Sequence, residues 1–140
     1  MIAIGADHGG FALKEKIIEI IGKEYPLEDC GTFSIESVDY PDIAYAVAKK
    51  VASGEADCGI LICRTGVGMS IVANKVKGIR CALCYNEKVG KLCKEHNNAN
   101  MIALPADMIT AEEAIQIIHY WMNAKFEGGR HEKRVNKIEE

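Results

Sequence analysis

Short apolar segments alternate along the chain with longer segments in which apolar residues recur every three or four positions. The apolar segments predict five β-strands, near residues 1–6, 27–30, 59–63, 80–85 and 101–104. The longer segments predict helices at about residues 10–22, 42–53, 68–76, 87–96 and 111–125. This alternation is typical of a doubly wound α/β domain, a parallel sheet covered by helices on both faces.

The favoured strand order for five such strands is 2-1-3-4-5. In a sheet of that kind the ligand site lies beyond the carboxyl ends of the strands, at the switch point between the first and the third. The residues that follow these two strands are therefore the first candidates for function.

Several helix boundaries have local chemistry in their favour. Pro41 suits a first helical turn, and Gly54 suits a C-terminal cap. Thr110 and Glu113 have the spacing of a capping box. The polar tail from residue 127 starts with two glycines and predicts a short helix over the surface or over a partner subunit.

Composition limits the classes of protein to consider. The chain has 140 residues, 49% of them hydrophobic and 26% charged, which predicts one domain over residues 1–140. The formal net charge of −3 gives no support for nucleic acid as a partner. We see no apolar run long enough for a membrane span and no signal peptide, so we expect a cytoplasmic protein.

The six cysteines lie mostly inside apolar segments, which favours reduced thiols over disulfides. Cys81 and Cys84 form a C-x-x-C pair, a spacing that occurs in metal and redox sites. On a strand, however, residues three apart point to opposite faces. We therefore expect both to be small core residues, with a thiol redox protein as a distant alternative.

The two loops at the predicted switch point carry reactive side chains. "GADHGG" places Asp7 and His8 after the first strand, and "CRTGVG" places Cys63 and Thr65 after the third. Taken one at a time, these residues also suit helix caps, surface positions or the core. Their joint arrival beside two helix N-termini, which favour anions, indicates a site.

The glycines of the second loop do not form a dinucleotide fingerprint or a P-loop, so we expect no cofactor. Gly66 and Gly68 instead indicate a tight turn that exposes backbone donors to an anion. A helix N-terminus also favours the thiolate form of cysteine, which makes Cys63 a candidate base or nucleophile.

Two further clusters lie later in the chain. "EHNNAN" supplies His96, Asn97 and Asn100 before the fifth strand. "GGRHEKRV" supplies Arg130 and Arg134, which share a helix face and suit either a phosphate or a solvated basic patch.

Together, "GADHGG", "DYPD", "GILIC.TGVG.SI.ANK.KGIR", "HN..N" and "EGGRH..RV" cover nearly the whole chain in order. As a set they resemble the type B ribose-5-phosphate isomerases and the related galactose-6-phosphate isomerase subunits. The resemblance implies a flavodoxin-like, Rossmann-like enzyme that needs no metal or cofactor. It also implies a homodimer or homotetramer with its active sites at the subunit interface, acting on a small sugar phosphate.

The resemblance also implies roles for individual residues. Cys63 is similar to the family's base, which moves a proton between C1 and C2 through an enediolate. Asp7 and His96 are similar to the residues that position and open the sugar ring, with His96 and Asn97 supplied by the second subunit. The resemblance further implies an oxyanion pocket formed by Thr65 and by the backbone amides of Gly66, Val67, Gly68, Met69 and Ser70. It implies that Asn97 holds substrate hydroxyls, that His8, Arg130 and Arg134 bind the phosphate, and that Tyr40 also contacts the substrate. Arg64 and Asn100 are additional candidates.

Two positions depart from the family pattern. Arg64 stands where the family usually has glycine, and Pro105, Ala106 and Asp107 replace a Gly-x-Arg sequence after the fifth strand. We expect Arg64 to restore the missing charge, at the phosphate or by pairing with Asp107 across the interface. The resemblance implies an aldose–ketose isomerase that interconverts ribose 5-phosphate and ribulose 5-phosphate. A six-carbon sugar phosphate, such as galactose 6-phosphate or allose 6-phosphate, is the alternative substrate. A non-catalytic sugar-phosphate binding module is the alternative class.

Overall fold

The structure, a computed structural model, describes residues 1–139. Five strands alternate with five helices along these residues, and a sixth helix follows the fifth. The strands are β1 Ile2–Ala6, β2 Leu27–Asp29, β3 Cys58–Cys63, β4 Cys81–Leu83 and β5 Met101–Pro105. The helices are α1 Phe11–Ile21, α2 Tyr40–Ser53, α3 Val67–Ala73, α4 Glu87–Asn97, α5 Ala111–Asn123 and α6 Arg130–Ile138.

All five strands pair in parallel, which confirms the predicted doubly wound α/β class. The predicted strand order is wrong in one respect, because the observed order is β2-β1-β3-β5-β4. The five residues of β5 are all buried, whereas two of the three residues of β4 are only partly buried. Burial on both faces stabilises a long apolar strand more than a short one, so β5 takes the interior position and β4 lies at the edge. The switch point between β1 and β3 is unaffected.

Alternate residues of the strands face two separate apolar layers. Ile60 and Ile62 of β3 pack with α1, α4 and α5, where Trp121 is fully buried. Leu61 and Cys63 point the other way and pack with α2 and α3. The side chain of Cys63 therefore lies on the α2–α3 side of the sheet.

The helix-boundary predictions are confirmed at the positions that carried them. Pro41 lies in the first turn of α2, and Gly54 caps its end with φ +85°. Thr110 and Glu113 form the reciprocal capping box of α5. The polar tail forms α6, which begins after two glycines of positive φ, Gly128 and Gly129.

Cys81 and Cys84 belong to opposite apolar layers, as their spacing on a strand predicts. The neighbour of Cys84 is Cys93, whose sulfur lies 3.8 Å from its own. Burial raises the pKa of the Cys81 thiol to about 12, and the contact with Cys93 raises that of Cys84. The C-x-x-C pair therefore cannot serve as one metal or redox site.

Candidate active site

The loops after β1 and β3 are neighbours, as the switch-point prediction requires. Ala6 pairs with Ile62 in the sheet, and the N–H of Asp7 donates to the Ile62 carbonyl over 3.1 Å. Asp7 therefore lies beside Cys63 at adjacent strand ends. Asp7 is 8% exposed and Cys63 is 6% exposed.

The sulfur of Cys63 is held by the turn that follows it. The N–H of Gly66 donates a hydrogen bond to Sγ over 3.2 Å, which orients the sulfur and can stabilise negative charge on it. Gly66 has φ +75°, and a Cβ here would lie 2.5 Å from Leu83 Cδ1. Only glycine lets the chain turn back over the thiol in this way.

Three of the five backbone N–H groups expected to form an oxyanion pocket, those of residues 66–70, donate within the chain, and the N–H of Gly66 is one of them. The N–H of Val67 is taken by Thr65 Oγ1 at 3.2 Å, and the N–H of Ser70 by the Gly66 carbonyl at 3.0 Å. The amides of Gly68 and Met69 lie in the first helical turn, where N–H groups have no carbonyl partner within the helix. They are therefore the donors best placed to bind an oxyanion.

Asp7 and His8 are both tied to neighbouring backbone. Asp7 Oδ1 accepts from the N–H of Gly10 over 3.0 Å, next to the start of α1. His8 Nδ1 accepts from the N–H of Val38 over 3.3 Å. Because Nδ1 accepts in this contact, the neutral ring carries its proton on Nε2, which leaves an N–H for an anion.

Tyr40 joins the same group of loops from the start of α2. A Cβ at Gly68 would lie 2.6 Å from Tyr40 Cε1, so the ring lies directly against the backbone of that glycine. Tyr40 is 40% exposed. The glycine in the first turn of α3 therefore makes room for the Tyr40 ring.

Arg64 lies at the same edge of the sheet, directly after Cys63. Its Nη1 is 3.6 Å from Asp107 Oδ1 of the same chain, so the pair does not need the second subunit that the sequence prediction assigned to it. A Cβ at Gly9 would lie 2.6 Å from Arg64 Cγ. The Arg64 side chain thus crosses the loop after β1 and stays 61% exposed.

These residues form the carboxyl-edge set: Asp7, His8, Tyr40, Cys63, Arg64, Thr65, Gly66, Val67, Gly68, Met69 and Ser70. The structure brings them together within one chain. It does not bring His96 or Asn97 to them, because α4 ends at Asn97 and β5 starts only at Met101. His96 and Cys63 thus lie at opposite ends of the sheet, because β5 runs from Met101, just after α4, to Pro105, which pairs with Cys63.

Arg130 and Arg134 lie on the same side of the molecule as His96. Arg134 lines a cavity of about 390 Å³ with His96, Asn97, His131, Val135 and Ile138. We call His96, Asn97, Arg130 and Arg134 the amino-edge set. Asn100 has a different role, because its side chain accepts from the N–H of Arg80 and donates to the carbonyl of Gly78. Its amide braces the loop before β4.

Sequence analysis missed two residues beside His96. The imidazole of His131 stacks on that of His96, and Glu127 lies at the edge of both rings. The ligand atoms of the three residues lie within 4.8 Å of one another, a spacing found around metal ions. Both residues stand in the quoted motif "EGGRH..RV", but their contact with His96 is tertiary and leaves no periodic signal.

The arrangement provides a buried thiol, backbone N–H groups in the first turn of α3 and exposed cationic side chains on α6. A thiolate beside backbone donors can accept a proton while negative charge develops on a bound oxygen. Within residues 1–139, none of the helices combines the length and apolar composition needed to cross a membrane.

Comparison with known proteins agrees with these features. The sequence model of the Ribose/Galactose Isomerase family matches residues 2–138. Ribose-5-phosphate isomerase B of Escherichia coli K12 is 45% identical over 138 residues, which cover 98% of this chain and 93% of that protein.

Solved structures give the same relationship. Ribose-5-phosphate isomerase B of Clostridium thermocellum is 49% identical with a TM-score of 0.97, and the match covers 99% of this chain and 94% of that one. The Mycoplasma genitalium enzyme with bound ribulose 5-phosphate is 43% identical with a TM-score of 0.93, covering 99% and 93%. The chain therefore belongs to the ribose/galactose isomerase family, and it is an isomerase.

Proposed function

We propose that the protein interconverts ribose 5-phosphate and ribulose 5-phosphate, with Cys63 as the base and with each active site formed between two copies of the chain. The observation that carries this proposal is the buried Cys63 sulfur, which accepts a hydrogen bond from Gly66 beside the first turn of α3. The choice of substrate is supported by the Mycoplasma genitalium relative, whose structure holds ribulose 5-phosphate.

The proton transfer follows from that position. The thiolate of Cys63 takes the proton from C2 of the open-chain aldose and becomes the thiol, and the electrons of the C–H bond move into an enediolate. A proton returned to C1 then completes the ketose, while the hydroxyl proton moves from O2 to O1. The amides of Gly68 and Met69 hold the negative oxygen, which lowers the free energy of the transition state more than that of the substrate.

Ring opening and phosphate binding use the remaining residues. His96 protonates the ring oxygen as its bond to C1 breaks, and the Asp7 carboxylate orients the sugar and accepts the proton that leaves the C1 hydroxyl. Asn97 holds the other hydroxyls. Arg130 and Arg134 hold the phosphate, since charged donors bind phosphate oxygens strongly, and His8 Nε2–H adds a neutral donor. Tyr40 forms the wall of the pocket, and Arg64 lends positive charge at its mouth.

Two copies of the chain are required because the carboxyl-edge and amino-edge sets lie at opposite ends of one sheet. A two-fold axis places the carboxyl edge of each copy against the amino edge of the other, which creates two equivalent sites. The exposed apolar residues agree with such contact, since three follow strands at the carboxyl edge: Val67 after β3, Tyr85 after β4 and Met108 after β5, at 45%, 56% and 70% exposure. Exposed apolar side chains grouped in this way are typical of an interaction surface.

A panel of aldose phosphates tests the substrate. Ribose 5-phosphate, galactose 6-phosphate and allose 6-phosphate are compared by kcat/KM, with unphosphorylated ribose as the matched control. We expect kcat/KM for ribose 5-phosphate to exceed that for each six-carbon sugar by about tenfold or more, because one extra carbon in a fitted pocket lowers kcat/KM by roughly 10- to 200-fold. Preference for a six-carbon sugar would overturn the substrate assignment. Binding of all three phosphates without turnover would mean a non-catalytic binding module.

A further inference from the structure

The His96 imidazole does not stand alone at the end of α4. The ring of His131 lies over it with a centroid separation of 4.3 Å and an angle of 10° between the planes. Glu127 Oε1 is 3.4 Å from His131 Nε2 and 3.8 Å from His96 Nε2. We call His96, His131 and Glu127 the stacked cluster.

Two histidines and a glutamate are also a donor set that Zn²⁺ accepts. The ring geometry argues against a shared ion, however. The lone pair of an imidazole nitrogen lies in the ring plane, so an ion must lie near the plane of each ring that binds it. The two ring planes are nearly parallel and separate, so no point between the two nitrogens lies in the plane of both rings. The arrangement therefore fits side-chain stacking better than metal ligation.

Both partners of His96 are held firmly by the fold. The N–H of Glu127 donates to the Glu95 carbonyl over 3.0 Å, which fixes the segment before α6 against α4. Gly128 and Gly129, both of positive φ, then turn the chain into α6. His131 is 9% exposed, and its N–H donates to the Gly128 carbonyl. A nearly buried ring on an anchored turn provides a rigid platform.

We propose that His131 and Glu127 are positioning residues for His96. The stacked ring of His131 restricts rotation of the His96 imidazole, and the Glu127 carboxylate at the edge of both rings holds His131 in place. This inference rests on the proposed role of His96 in ring opening. It matters because His96 is 40% exposed at a helix end, where an unsupported ring samples several rotamers.

The test separates ring opening from proton transfer. Ribulose 5-phosphate is acyclic because its O5 carries the phosphate, so solvent deuterium exchange at its C1 needs proton transfer but no ring opening. Ribose 5-phosphate turnover needs both. Both quantities are measured by NMR for His131→Ala, His131→Phe and Glu127→Gln. The matched control is Glu132→Gln, which neutralises an exposed carboxylate in the first turn of α6, outside the stacked cluster.

We expect His131→Ala to lower kcat for ribose 5-phosphate by about tenfold with little change in KM, because small misplacements of a catalytic group cost up to roughly 10²-fold. His131→Phe keeps a ring to stack and should stay within about threefold of wild type, and Glu127→Gln should lose about threefold. The kcat of the Glu132→Gln control should stay within about twofold of wild type. The deuterium exchange rates of all the variants should also stay within about twofold, because none of the substitutions changes a group that transfers the C1 or C2 proton.

A spectroscopic measurement accompanies the kinetics and does not depend on turnover. The stacked ring displaces the His96 ring protons upfield, so His131→Ala should shift those resonances downfield, and His131→Phe should not. If His131→Ala fails to fold, the kinetics and the chemical shifts of the His96 ring protons are still measured on His131→Phe and Glu127→Gln.

Three results would overturn the inference: an unchanged kcat in His131→Ala, an equal loss of deuterium exchange, or a His131→Phe variant as impaired as His131→Ala. His96→Ala separates this failure from failure of the proposed function. If His96→Ala lowers kcat while His131→Ala does not, only the positioning role is wrong. If His96→Ala keeps the wild-type kcat, its role in ring opening is wrong, and the inference falls with it.

Discussion

Replacing Cys63 by alanine lowers kcat for ribose 5-phosphate by roughly 10³-fold, because a positioned general base contributes about 10² to 10⁴ to a proton transfer. The sulfur is the atom that accepts the Gly66 N–H, and alanine has no basic atom to replace it. KM should stay within about threefold of wild type, since the substrate is held mainly by its phosphate and hydroxyls. Steady-state kinetics and deuterium exchange at C1 of ribulose 5-phosphate measure both effects.

Cys30→Ala is the matched control, because Cys30 is also a free thiol but follows β2 and lies outside the carboxyl-edge set. We expect it to retain wild-type kcat. A Cys63→Ala variant that keeps its kcat within tenfold of wild type would remove Cys63 from the role of base. Such a result would leave the fold and the family unchanged.

Replacing both Arg130 and Arg134 by alanine raises KM for ribose 5-phosphate by roughly 10²-fold, since hydrogen bonds to charged groups contribute about 1.5 to 3 kcal/mol each. The two residues stand one turn apart at the start of α6, and both are exposed. A phosphate bound to both gains paired charged donors without any contact at C1 or C2. The loss should therefore appear in KM, with kcat within about threefold of wild type.

Lys133→Ala controls for net charge, because Lys133 is an exposed cation on the same helix. It should change KM by less than about twofold, as expected for a solvated surface charge. An equal KM increase in Lys133→Ala would mean general electrostatic attraction by α6. An unchanged KM in the double arginine variant would remove both residues from the phosphate site.

The sequence predicted the fold class because apolar periodicity marks strands and helices directly. All five predicted strands are present, and Pro41, Gly54 and Thr110 act at the helix ends where their local chemistry places them. The strand order was not predictable in the same way. Both β4 and β5 are apolar segments after a helix, and only packing shows that β5 is covered on both faces.

The carboxyl-edge set was also accessible from sequence, because the residues directly after β1 and β3 must meet at one end of a parallel sheet. The surroundings of His96 were not. His131 and Glu127 reach it through the turn at Gly128 and Gly129, a contact set by how α6 folds back on α4. Asn100 shows the converse, since its place in a conspicuous polar cluster suggested ligand binding, whereas its amide is used by backbone.

A mixed dimer tests the shared active site most directly. Chains carrying Cys63→Ala and His96→Ala are given different tags, combined and purified as the heterodimer. If each site joins the carboxyl edge of one copy to the amino edge of the other, one of the two sites has both wild-type residues. The heterodimer should then regain about half of the wild-type kcat per dimer, because the two-fold sites are equivalent. A purified heterodimer as inactive as its two parents would contradict an active site shared between subunits.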